Sequence, residues 1–369
     1  GITVPVVIGR EEDASADLEI TQAKLYRIRM DNGVTVYFAE HPLYTKFMYL
    51  GDRRVHLDAL RRAGINAPAG MDRDHFLHML LFKQTAFFKE AALRAIDVIE
   101  GLYNPYVMHL HDWQTGLIAA SLREEAGFMD NPKLNRAATI LTIHNLGYQG
   151  RFNKELLEFS GLPAHVYDEI DVLKELNIEF HGDINFLKAG IIYSDQVNTV
   201  SPTYAEEILT RRWGEGLYDV LQRRKQQGRL RGILNGLDND AFNPATDPRL
   251  SVNYTFDRLT GGKLQNKIAL RAVLRNKGFD MRDPRDSDAP LIGIVARLVH
   301  QKGVDFAGTA MKEILLANPD VQFVVTGPIE ERALRSQLEV LQEEFVRRVV
   351  MVFGYDEDLA SKIYAASDM

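Results

Sequence analysis

The chain has 369 residues, 46% of them hydrophobic, enough for two ordinary domains or one large one. Its net charge of −7 and its scattered basic residues exclude a massed nucleic-acid surface. It contains no cysteine, which excludes disulfides and cysteine metal sites, and no apolar run approaches the ~18 residues a membrane helix needs.

The chain opens on Gly1 rather than Met, and no signal-peptide pattern follows. Residues 10–20 are acidic and read as a surface loop. Asn32-Gly33 is a turn signal, after which Val34 to Phe38 alternate and β-branch as a strand does. Phe87, Ala91, Ala95 and Ile99, with Phe88, Ala92 and Ile96 beside them, recur at helical spacing, and Asn104-Pro105 breaks that helix. Residues 106–111 read as a strand, 115–125 as a helix and 139–143 as a strand. The pattern resumes with strands at 196–200, 231–234, 291–295, 321–326 and 349–353. Strand–helix–strand alternation predicts an α/β fold with parallel sheets. Asn243-Pro244 and Asp247-Pro248 interrupt it, which places a domain break near residue 240 and gives domains 1–240 and 241–369. The polar stretch 276–289 reads as a surface loop. The chain stops at Ser367-Asp368-Met369, directly after a helix-like segment, and both ends read as cut.

Chemistry-bearing residues gather where strands end. Residues 291–295 read as a strand covered on both faces, Gly303 allows a tight turn, and 304–317 read as a helix. Arg297 and Lys302 therefore sit at the carboxyl end of a strand, the side on which open α/β sheets bind ligands. Two cations converging there suit a diphosphate, although two solvated surface cations would read the same. His109-Leu110-His111-Asp112-Trp113 ends another strand, and alternation puts both histidines on one face. Asp112 then serves either as an acceptor for a polar substrate or as a cap for the next helix, and the His-x-His pair is open to a metal reading. His144-Asn145-Leu146-Gly147-Tyr148-Gln149-Gly150 also follows a strand. Its neutral donors and acceptors, Asn145 and Gln149 among them, suit a hydroxyl-rich ligand. Asn235-Gly236 reads as a plain turn on its own. Gly327 precedes the helix opened by Glu330-Glu331, where backbone amides can meet a phosphate. Tyr355 is placed either to stack on a nucleobase or to lie half-buried on the surface, and Asp356-Glu357 after it reads as a helix start.

Taken together these strings resemble the bacterial glycogen synthase and plant starch synthase family. The matching motifs are His109-Leu-His-Asp-Trp-Gln-Thr-Gly-Leu117, Thr142-Ile-His-Asn-Leu-Gly-Tyr-Gln-Gly150, Asn198-Thr-Val-Ser-Pro-Thr-Tyr-Ala205, Gly232-Ile-Leu-Asn-Gly-Leu-Asp238, Ala296-Arg-Leu-Val-His-Gln-Lys-Gly303 and Gly354-Tyr-Asp-Glu357. His41-Pro-Leu-Tyr44 and the Phe87-Phe88 helix also fit, in register from about residue 30 onward. The resemblance implies a GT-B architecture of two Rossmann-like domains facing a cleft, both incomplete in this chain. It implies a retaining glucosyltransferase that extends an α-1,4-glucan from ADP-glucose, with ADP-glucose as donor substrate and no cofactor or metal. By motif match, Arg297 and Lys302 bind the diphosphate. His144 and Asn235 bond the donor glucose, Asp112 lines the sugar and acceptor cleft, and Tyr355 packs against the adenine. The expected partners are ADP-glucose or ADP and the glucan, with neither nucleic acid nor membrane. The absence of a targeting signal is read as bacterial cytoplasm, although a trimmed plastid enzyme would look the same.

Three departures stand against the family pattern. The amino-terminal Lys-x-Gly-Gly-Leu loop has no counterpart, and the first domain is expected to lack its first strand. The segment carrying a glutamate in Pro-Ser-x-Phe-Glu-Pro-Cys-Gly-Leu lies beyond Met369. The glycine pair expected near Gly327 is reduced to Val325-Thr326-Gly327. The alternative to a transferase is a catalytically silent glucan- or nucleotide-binding protein on the same scaffold. The expectation is that residues 1–369 alone elongate glycogen from ADP-glucose weakly or not at all. A radiolabelled-glucose incorporation assay on the purified chain checks it, and ordinary enzyme rates would refute it.

Overall fold

In a computed structural model the alternation of strands and helices becomes two separate parallel sheets, one in each of two compact units, Gly1–Asn235 and Gly236–Met369. The structure describes residues 2–8, 19–41, 72–99, 107–168, 177–282, 289–329 and 331–369. Among these, no helix is long and apolar enough to cross a membrane.

The first unit opens on an antiparallel sheet of β1 (Ile2–Ile8), β2 (Glu19–Arg29) and β3 (Thr35–Glu40). Only a strand at 34–38 was expected there. Glu19 and Ile20, read as loop, lie in β2, and the rest of that acidic stretch lies outside the described residues. Ala23 and Leu25 of β2 bury against Phe87, Ala91, Ala95 and Ile99. These belong to, or directly follow, helix α1 (Arg73–Val98). That helix starts well before the periodic segment that announced it, because the Asp72 carboxylate accepts from the Asp74 and His75 amides and caps the first turn. His41 is buried and stacks on Phe87 at 4.3 Å; residues 42–44 of that motif, and the Asn104-Pro105 break, lie outside the described residues.

Next come β4 (Val107–His111), α2 (Gly116–Glu124), α3 (Ala126–Met129) and β5 (Ala138–Ile143). A small antiparallel sheet follows, made of β6 (Arg151–Asn153), β7 (Glu179–Phe180) and β8 (Asp183–Asn185). Then come α4 (Phe186–Tyr193), β9 (Gln196–Thr199), α5 (Pro202–Glu207), α6 (Tyr218–Gln226) and β10 (Leu230–Gly232). The parallel sheet runs β10-β9-β5-β4 around fully buried Leu141 and Val197. Its register pairs His111 with Thr142 and Thr142 with Asn198, so these strands end in one row. The last strand stops at Gly232 rather than at Leu234. Its partner β9 ends at Thr199, and Ser201 then caps α5 through the Tyr204 amide. Ile233 donates one final bond to Thr199 O, and Ile233 and Leu234 are exposed.

In the second unit, α7 (Leu259–Asn276), β11 (Leu291–Val295), α8 (Val304–Ala317), β12 (Gln322–Gly327), α9 (Arg332–Glu344), β13 (Val349–Phe353) and α10 (Glu357–Ala366) form a parallel sheet in the order β11-β12-β13. Period-two alternation divides its core. Phe323, Val325, Val349 and Met351 face α8 and α9, and Val324 and Val350 face α7 and α10. That is why β12 is buried along its whole length. Of the stretch 276–289, residues 283–288 lie outside the described residues; just before them Met281 is buried, and Asp280 pairs with Arg275 and Arg347.

One buried charge cluster ties α1 to the end of α2. Lys89, 1% exposed, reaches Glu90 at 2.8 Å and Glu125 at 2.7 Å, and Arg94 reaches Glu90 at 2.6 Å. The Phe128 ring lies 5.5 Å from both cations. Burial works to lower the Lys89 pKa, but the carboxylates of Glu125 and Glu90 outweigh it and hold the ammonium above its ordinary value. Lys89→Met takes the cation from the buried Glu125 carboxylate, leaves Glu90 with Arg94 alone, and is expected to cost roughly 3–5 kcal/mol of stability. Urea unfolding near neutral pH checks this, and the deficit should shrink in acid, where these carboxyls are neutral.

Candidate functional site

The row of strand ends in the first unit carries a chain of imidazoles. Asp112 follows β4 with φ 55° and ψ −169°, a conformation that L-residues rarely adopt and that costs on the order of 1–3 kcal/mol. Its amide donates to Thr142 O at 2.9 Å, and its Oδ1 accepts from the His144 amide at 2.8 Å. The side chain therefore fastens the loop after β5 instead of capping the next helix, where it makes no cap bond. His111 Nδ1 lies 3.0 Å from His144 Nε2, and the His109 and His111 ring centroids are 4.3 Å apart. His109 Nε2 meets Thr142 Oγ1 at 2.6 Å, and Thr142 Oγ1 donates to Asn198 Oδ1 at 2.9 Å. The His-x-His pair is thus engaged with a threonine and a third histidine. No metal-holding group of three or more His, Asp or Glu occurs among the described residues. Partial burial, then the neighbouring His109 and His144, lower the His111 pKa, and Asp112 opposes them.

Within the loop the expected donors divide. Asn145 Oδ1 accepts from the Gly147 amide at 3.0 Å, a local turn that leaves its amide NH₂ without a bond among the described residues. Gln149 is buried; its Nε2 donates to Leu146 O and Glu215 O, and its Oε1 accepts from Asn185 Nδ2 at 2.7 Å. The hydrogen-bonding capacity of Gln149, offered to a ligand by its sequence context, is spent on holding the loop. Asn235, the last residue of this unit, is exposed.

The second unit holds a cavity of about 430 Å³. It opens at the carboxyl ends of all three strands, against Val295, Thr326 and Gly354. Arg297, Gly327 and Tyr355 line it together, with Phe242 and Tyr364 as further aromatic walls that no motif announced. Gly327 has φ 151°, and a Cβ there would lie 1.7 Å from Ala296 O. No larger residue fits where the strand end meets the Arg297 loop. Tyr355 is 83% exposed, and Asp356 beside it caps α10 through the Leu359 amide while pairing with Lys277. Glu330 lies outside the described residues, and α9 starts at Arg332 after Glu331.

Lys302 does not line the cavity. It ends a short 3-10 turn, His300–Lys302, that Gly303 closes in the left-handed region at φ 69°. Both Arg297 and Lys302 are exposed, and neither side chain has an ion pair or hydrogen bond among the described residues. The turn is tethered instead by His300, whose Nε2 meets Glu331 at 2.9 Å and whose Nδ1 lies 3.5 Å from Asp305. The bond to Glu331 and its charge, then Asp305, raise the His300 pKa.

Comparisons with known proteins agree with the motifs. Residues 6–223 match the starch synthase catalytic domain family. The chain is 43% identical over 289 residues to a glycogen synthase of Thermosipho melanesiensis, which covers 78% of this chain and 55% of the relative. It is 42% identical over the same length to a glycogen synthase of Thermotoga maritima, again 55% of that protein. The chain thus spans about half the length of these curated relatives. The catalytic domain of starch synthase IV from Arabidopsis thaliana, solved with ADP and acarbose, superposes with a TM-score of 0.75 at 28% identity. That match covers 100% of this chain and 65% of the other.

The His300 tether has a definite pH sign. A folded-state pKa raised above 6.5 means that the tether is fully present below that value and is lost as the pH rises through the raised value. Amide exchange across residues 297–303, corrected for intrinsic rate, should therefore quicken as the pH is raised above 6.5 through the His300 titration. In His300→Gln it should lose that dependence.

Proposed function

The chain belongs to the starch synthase catalytic domain family, and from that premise we propose that it is the greater part of a retaining glucosyltransferase acting on ADP-glucose and an α-1,4-glucan. The observation that carries this reading is the cavity in the second unit, where a guanidinium without a partner among the described residues, a glycine-built strand end and exposed aromatic walls meet. A nucleoside diphosphate has matching parts: a flat base for Tyr355, and phosphates for Arg297 and for the amides beside Gly327. Lys302 supplies the second cation from the turn that follows. Departure of ADP builds charge on the phosphates, and two preorganised cations lower the barrier to it. With their charge in place the reaction calls for no metal.

In the first unit His144, Asn145, Asn235 and Asp112 act toward sugar hydroxyls, with Asp112 also fixing the His144 backbone. Gln149 acts one step behind them by holding the loop. The α/β fold is of the GT-B kind, shared with a starch synthase that binds ADP and acarbose, which supports a nucleotide and a glucan as ligands. The similarity to bacterial glycogen synthases supports ADP-glucose as donor and the bacterial cytoplasm as location.

Isothermal titration of ADP and ADP-glucose into the chain and its Arg297→Ala and Lys302→Ala variants tests the reading. Each variant is expected to bind ADP roughly tenfold to a hundredfold more weakly, as befits one charge-assisted contact. In an active full-length enzyme the same changes should cost on the order of 10²–10³ in rate. Equal ADP affinity in all three chains would remove the diphosphate role from both cations.

A further inference from the structure

We propose that His111 is a positioning residue for the transfer reaction, holding the His144 ring by its Nε2 so that His144 Nδ1 is the atom offered to a sugar hydroxyl. The inference rests on the function proposed above and adds to it a residue, an atom and a direction.

The contact between His111 Nδ1 and His144 Nε2, at 3.0 Å, places a single proton between two imidazoles. Whichever ring owns that proton, His144 Nε2 is occupied. Nδ1 is then the one ring nitrogen of His144 left for a ligand. The pair is fixed from behind. The lone Thr142 hydroxyl proton goes to Asn198 Oδ1, so His109 must donate from its Nε2 to Thr142 Oγ1. His109 is thereby anchored to β5 and, through it, to β9. The His111 ring lies over it, tilted by 34°. The His144 backbone is held independently by Asp112. Ring and main chain of His144 are thus set by two neighbouring residues, which an ordinary loop histidine does not need.

The charged or titratable groups facing His111 are His109 on its own strand, His144 on the loop after β5 and Asp112 after β4. Burial and the first two depress its pKa, so it stays neutral near neutral pH. A further proton on the pair sets N–H against N–H and breaks the contact.

The test uses the chain labelled with ¹⁵N in its histidine side chains, with long-range ¹H–¹⁵N spectra that report each ring's tautomer and titration. Asparagine places an amide atom near the Nδ1 position, glutamine near the Nε2 position, and leucine offers neither. His144 should hold one tautomer in the native chain and in His111→Asn, and should become a mixture in His111→Gln and His111→Leu. Titration calorimetry on the same proteins supplies the functional arm. ADP affinity should not change, whereas any gain in affinity of ADP-glucose over ADP should fall about tenfold in His111→Leu and survive in His111→Asn. An unchanged His144 spectrum in His111→Leu would overturn the proposal. So would an altered spectrum with an unchanged ADP-glucose preference, which makes the pair structural only. Failure of the native chain to bind ADP would refute the function itself, and with it the sugar role of the pair.

Discussion

Parallel pairing in register is the constraint on which the first unit's chemistry depends. Because β4, β5 and β9 run the same way and end level, His111, Thr142 and Asn198 form one row across the sheet. A slip of one residue on any strand would turn its side chain to the other face and break the row. The burial of Leu141 and Val197 makes such a slip costly. The polar row is therefore specified by apolar packing a few residues away. The strained backbone of Asp112 follows from the same register, since its amide and carboxylate are both pulled onto β5 and the loop beyond it.

The second unit applies the same rule to charge. Its strands are covered on both faces, which leaves their carboxyl ends as the open place for ligands. Many cations in this unit are consumed by carboxylates or backbone carbonyls, as Arg249 is by Asp247 and Glu357 and Arg348 is by Leu315 O. Arg297 and Lys302 are left without such a partner among the described residues. A cation held at a strand end and not neutralised by those residues is what the proposed diphosphate role requires. Here the tethered His300 turn fixes the backbone while the two side chains stay open.

Much of the fold was legible. The strands at 291–295 and 349–353 and the helix at 304–317 follow from runs of apolar residues bounded by glycine and polar breaks. Other elements were misread for identifiable reasons. The helix from Arg73 looked shorter because its early apolar run, Met79-Leu80-Leu81-Phe82, is continuous and shows no helical spacing of its own. The strand ending at Gly232 looked longer because Ile233 and Leu234 are apolar, yet β9 ends at Thr199 and only the Ile233 amide still reaches it. In the site, Arg297, Gly327 and Tyr355 were each singled out singly, and the cavity shows them side by side. Phe242 and Tyr364 were invisible, because an aromatic in a loop or on a helix carries no mark of what it will face.

By itself the sequence determined the α/β class, the family and the identity of the groups at each strand end, because strand periodicity and local motifs are properties of neighbouring residues. The partnerships were decided only by the tertiary structure. It spent Gln149 on the loop, turned Asp112 from a helix cap into a clasp, joined His111 to His144, and left Arg297 open. The physical reason is that hydrogen bonds and ion pairs act over about 3 Å, and which groups come within that reach is set by sheet register and packing between residues far apart in the chain.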